Sequence, residues 1–166
     1  DSSNNYLQTL WSASGDDVID LSQLTRSSKV DLNGGAYSSI NITAAANSPY
    51  YSGNYNVGIA YGSQINKVTL SSTNGVAESV TLNSAFKTGD FDTISSFDAI
   101  DDKIALKRSL FGSLAAKNIV IGSAATSSAT KIIVNPTTGE IFYDADGIGT
   151  KSTAKKIAQF NVVAGR

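Results

Sequence analysis

At 166 residues the chain can bury one substantial core, and at 41% hydrophobic residues it is too apolar to be disordered as a whole. The formal charge of −1 argues against a nucleic-acid partner, and no apolar run approaches the length of a membrane span. The absence of cysteine excludes disulfides. The absence of histidine removes Ser-His-Asp and Cys-His nucleophile systems and every imidazole metal site.

Charged residues make up only 16%, and Ser, Thr, Asn, Gly and Ala dominate. Short polar side chains of this kind bond to nearby backbone groups, compete with helix and suit short strands joined by tight turns. In chain order, Tyr6–Trp11, Val18–Leu21, Lys29–Leu32, Ser38–Thr43, Asn56–Tyr61 and Lys67–Leu70 alternate with period two between Gly, Ser or Asn. Each predicts a strand. Between them, Ala44–Tyr55 predicts a surface loop longer than the usual connection, carrying Pro49, Tyr50, Tyr51 and Tyr55. Its tyrosines are candidates either for stacking on a sugar or partner chain, or for pinning the loop to its own sheet.

In the second half, Phe91–Ile94 and Ile104–Leu106 predict strands around an acidic turn. Lys107–Leu114 predicts a short helix with Leu110, Phe111 and Leu114 facing inward. Strands follow at Ile119–Ile121 and Ala129–Val134, the latter apolar enough to be central. The Asn135-Pro136-Thr137-Thr138-Gly139 run turns the chain into Glu140–Tyr143 as a hairpin, and Ile157–Val163 alternates into a last strand.

Little here points to catalysis. Gly34-Gly35 has no lysine placed for a phosphate. The aspartates of 90–102 could supply a glycosidase pair, but they sit where strand ends and turns place solvated Asp anyway. The lysines after Asp146 (Lys151, Lys155, Lys156) read as a solvated face. Asp144-Ala145-Asp146-Gly147 begins like a calcium loop, although Lys151 stands where a closing carboxylate is wanted, and a polar hairpin turn is the other reading. Asp90 and Asp92, straddling Phe91, are a further possibility.

Two segments carry a resemblance. Thr9-Leu10-Trp11-Ser12-Ala13-Ser14-Gly15-Asp16-Asp17-Val18-Ile19-Asp20, then Val30–Ile40 and Asn56–Gly62, form the first; Asp92–Leu106, with Thr138–Gly149 and Ile157–Phe160 after it, forms the second. Together they resemble the C-terminal domain of serralysin-type metalloproteases and related proteins exported by type I secretion systems. The resemblance implies an all-β fold: a right-handed, parallel β-roll-like half (1–85) merging into a mixed or antiparallel β-sandwich half (86–166), with one short helix, in a single domain. It also implies a non-catalytic, secreted, extracellular role, with export information near the C-terminus at Phe160, Val162 and Val163. The implied partners are a type I transporter and a catalytic or passenger domain elsewhere in the full-length protein.

Calcium is the cofactor the resemblance implies, but the chain departs from the pattern. No Gly-Gly-x-Gly-x-Asp repeat is present, and the expected ligands near Trp11 are replaced by Ser12, Ser14 and Asn66, leaving Asp17. Asp17, Asp144 and Asp146 are the calcium candidates. The alternative function is an extracellular binding or surface-assembly module using Tyr50, Tyr51 and Tyr55.

Overall fold

The computed structural model describes residues 8–13, 17–41, 55–73, 75–82 and 89–161. Its first strands are β1 (Gln8–Leu10), β2 (Val18–Asp20), β3 (Ser28–Asp31) and β4 (Tyr37–Ser38). After them come β5 (Val57–Ile59), β6 (Lys67–Thr69), β7 (Glu78–Thr81), β8 (Asp92–Ser95) and β9 (Lys103–Ala105). The parallel pairs are β1 with β5, β2 with β6 and β3 with β7, and then β6 with β8 and β7 with β9. Each winding of the chain therefore lies beside the one before it, which is how a parallel coil is built.

The register stacks like on like. Ile19, Val68 and Ile94 align in one sheet, and Val30, Val80 and Ile104 in the other. The ladders continue one step further: Leu21 donates its N–H to Thr69, Leu70 to Ser95, Leu32 to Thr81 and Leu82 to Ala105. These aliphatic side chains from both sheets share one core cluster. Burying each contributes on the order of 2 kcal/mol, so the repeated apolar-x-apolar pairs hold the coil together.

The parallel pairing runs past residue 85 and through β9. There α1 (Arg108–Phe111) follows, one turn that ends at Gly112 with φ 71°. Phe111 is buried edge-on against Tyr143, with ring centroids 5.5 Å apart. Leu114 packs against the core as expected, whereas Leu110, expected inward, is 40% exposed, because a single helical turn cannot aim all three side chains inward. A 3-10 turn (Ala116–Asn118) leads into β10 (Ile119–Ile121), β11 (Ile132–Asn135), β12 (Glu140–Tyr143) and β13 (Lys155–Asn161).

The hairpin predicted at 135–139 joins β11 to β12. Gly139 adopts φ 73°, and a Cβ there would run into the Phe160 carbonyl, so the turn and the last strand are fitted to each other. The Phe160 N–H donates to the Gly139 carbonyl, 2.7 Å away. The strand β13 is antiparallel to β12 on one side and parallel to β8 on the other. The C-terminal strands thus extend the coil's own sheet in the order β10-β11-β12-β13-β8-β6-β2, while β3-β7-β9 forms the facing sheet. The chain is all-β, a parallel half merging into a mixed half, with one short helix.

Two expectations shift. The strand expected at 38–43 is only the two-residue β4, with Ser39 bridging to Lys29; of the remainder, Ile42 and Thr43 lie outside the described residues. The apolar stretch from Ala129 starts pairing at Ile132, because Thr130 closes a turn onto Ser127.

Candidate functional site

One corner of the coil concentrates the unusual chemistry. Glu78 stands opposite Ser28 in register, and Asp102 immediately precedes Lys103, the partner of Ser79. By the two-residue alternation of strands, Ser28, Glu78 and Asp102 form a polar layer beneath Val30, Val80 and Ile104. Glu78 is 2% exposed, and neither carboxyl oxygen has a hydrogen-bond partner. Asp102 is buried beside it, accepting the Glu78 N–H at 3.0 Å on Oδ1 and the Asp98 N–H at 2.8 Å on Oδ2. Burial above all, then the side-chain interaction with Asp102 and the charges of Asp102 and Asp101, push the Glu78 carboxyl up to about 8, against a smaller opposing pull from the Ser71 backbone. Glu78 therefore holds its proton well above the pH at which a glutamate ordinarily loses it. Sequence reasoning missed both this residue and the strand carrying it, since an acid at a strand start is ordinarily read as exposed.

Outside this layer lies a cleft of about 310 Å³ between the β6–β7 and β8–β9 corners. The backbone of Ser96 enters the left-handed region, φ 61°, as the chain leaves β8. Phe97 follows and stacks on Phe160 of β13, with ring centroids 4.6 Å apart. These rings with Val76, Val134 and Pro136 supply apolar walls, while Asp98 and Asp101 stand among the lining residues. Each aspartate is held by backbone: Asp98 Oδ1 accepts the Ile100 N–H at 2.9 Å, and Asp101 Oδ2 accepts the Gly75 N–H at 2.8 Å. The cleft joins the second resembling segment, 92–106, to the expected export residue Phe160.

The other expected site residues are scattered. Asp17 lies between β1 and β2, where its carboxylate accepts the Ser12 hydroxyl. Asp144 and Asp146 lie between β12 and β13. There Asp144 Oδ1 accepts the N–H groups of Asp146 and Gly147, both at 3.1 Å, and Asp146 Oδ2 accepts that of Lys151 at 2.8 Å. The Lys131 ammonium donates to the Ala145 carbonyl in the same loop. Asp146 Oδ1 is buried without a partner, which is one free oxygen where calcium takes six to eight. Among the described residues no group of three or more acidic side chains is gathered to hold a metal, and Asp17 lies in a different loop from Asp144 and Asp146.

Of the tyrosine candidates, Tyr50 and Tyr51 lie outside the described residues, as do Val162 and Val163. Tyr55 is exposed, turns the chain with φ 56° and donates its N–H to Ser39 Oγ at 2.8 Å. It has neighbours the loop reading did not anticipate. Tyr37 pairs with Gly58, which also pairs with Thr9, so all three share the outer face of the small sheet β1-β5-β4. Trp11, two residues beyond Thr9, is 69% exposed, and Tyr61, 87% exposed, lies over Gly35. These exposed aromatics lie on or directly beside the strands of the small sheet β1-β5-β4.

No known protein-family model matches the chain, and no curated protein matches it. Among the described residues no helix is long and apolar enough to cross a membrane.

Proposed function

We propose that this chain is the non-catalytic C-terminal domain of an exported bacterial protein, serving type I secretion and folding after release outside the cell. The observation that carries the reading is the place of β13. It is the last described strand, and it lies inside the seven-stranded sheet, between β12 and β8, rather than at an edge. The C-terminal β10–β13 strands therefore cannot pair with the coil through β8 until β13 is free to enter. A domain whose C-terminal segment is held by a transporter would stay open during passage and close on release. The motif resemblance at 9–20 and 92–106 supports the same reading.

The test is export. Residues 1–166 fused to a passenger are expected to leave cells that carry a competent type I transporter, and removal of 160–166 is expected to retain the fusion inside. Retention of the intact fusion, with transporter competence shown by a known cargo, would overturn the proposal.

A second reading, an extracellular binding or surface-assembly module, is favoured by the exposure of Trp11, Tyr37, Tyr55 and Tyr61 on or beside the small sheet. It predicts glycan-array binding or self-association that falls at least tenfold when Tyr55 and Tyr61 are both replaced by Ala, about 1.4 kcal/mol in binding free energy. Unchanged behaviour would remove the reading.

A further inference from the structure

We propose that the cleft between the β6–β7 and β8–β9 corners is a binding site for a small organic amine, an ammonium head carried on an apolar or aromatic stem. This goes beyond the export reading and does not depend on it.

The first argument is size and shape. About 310 Å³ sits at the lower end of small-molecule sites, enough for one ring with a short chain and too little for a helix or a second strand. The second is the division of its chemistry. The stacked rings of Phe97 and Phe160, with Val134 and Pro136, favour a flat or aliphatic stem, and an aromatic face also attracts a neighbouring cation.

The third argument is charge. Asp98 and Asp101 both line the cleft, no basic side chain does, and among the described residues no cation pairs with either carboxylate. The one backbone N–H that each accepts uses a single oxygen and leaves the other open as an acceptor. Behind them Asp102 adds charge of the same sign. A neutral ligand would leave this field uncompensated, and an anion would be repelled, while an ammonium group satisfies both the charge and the open acceptors. The backbone bonds also hold the two carboxylates in place before any ligand arrives, which lowers the ordering cost of binding.

The probe is phenethylamine, protonated at neutral pH, compared with 2-phenylethanol of the same shape and no charge. Titration followed by heteronuclear NMR is expected to move the resonances of Phe97, Asp98, Asp101, Val134 and Phe160, with the amine binding at least tenfold more tightly. Asp98→Asn with Asp101→Asn keeps an oxygen for each backbone N–H, so the fold is retained, and is expected to bring the amine down to the level of the alcohol. Raised salt should weaken the amine alone. Equal binding of amine and alcohol, an unaffected double variant, or shifts confined to other surfaces would each overturn the proposal. Phe97→Ala provides an independent variant, expected to weaken both probes together.

Discussion

An Ala158→Pro variant is expected to be unfolded, or close to it, at 25 °C. Ala158 has no exposed surface and is paired on both sides, with Ile141 in β12 and with Asp92 in β8. Proline has no N–H to give to the ladder, and its ring has no room in a strand flanked on both edges. The loss is about 3 kcal/mol or more, a large part of the ~5–15 kcal/mol that usually separates folded from unfolded chains. The comparison variant is Ile121→Pro on the edge strand β10. Gly122 donates its N–H to Val134, so by alternation the Ile121 N–H points away from the sheet and its removal costs no ladder bond. Circular dichroism with urea titration is expected to show a lost transition for Ala158→Pro and a shift under about 1 kcal/mol for Ile121→Pro. Two similar curves would contradict an interior place for β13.

A Glu78→Gln variant is expected to be more stable than the parent at neutral and alkaline pH, with a gap that itself depends on pH. The folded carboxyl is raised to about 8 from the ordinary glutamate value of 4.5. Below 4.5 the side chain is protonated in both states and costs nothing. As pH rises from there the unfolded chain ionises while the folded chain keeps its proton, so folding loses stability at up to about 1.4 kcal/mol per pH unit. Above about 8 both states are ionised and the loss levels off, at a total of at most about 5 kcal/mol. Glutamine does not titrate, and both proteins share every other acid, including Asp98, Asp101 and Asp102 around the site. The difference between their urea midpoints therefore isolates Glu78. Apart from a constant offset, it should be flat below pH 4.5, grow to pH 8 and flatten again. A gap that does not vary with pH would show that the buried carboxyl keeps an ordinary affinity for its proton.

The alternating pairs make most of the coil legible in the residues alone. Val30 with Leu32 and Val68 with Leu70 each show the two-residue period and a bounding turn, and each forms a buried stack. The strand β7 is hidden because Glu78 and Ser79 occupy its first two positions, leaving only Val80 and Leu82 to signal it. The repeat is hidden by its unequal intervals. Val18 pairs with Lys67, 49 positions on, but Lys67 pairs with Thr93, only 26 on. A fixed-period comparison averages the two away.

The candidate site is less legible than the fold. Asp98, Asp101 and Phe97 stand within a segment of recognisable pattern, yet only the winding of the coil brings them beside Val134 and Phe160. The acidic side chains expected as calcium ligands have the right residue type, but one oxygen of each already accepts a neighbouring N–H or O–H group. A one-dimensional pattern carries no record of that commitment.

The interior place of β13 also decides how the domain would carry load. A pull on Asn161, directed along the strand, runs across hydrogen bonds to β8 and β12 that lie at right angles or aslant to it. Those bonds would be loaded together in shear, whereas a strand peeled from an edge breaks its bonds one after another. An interior strand of this kind therefore resists a pull along its length better than an edge strand would.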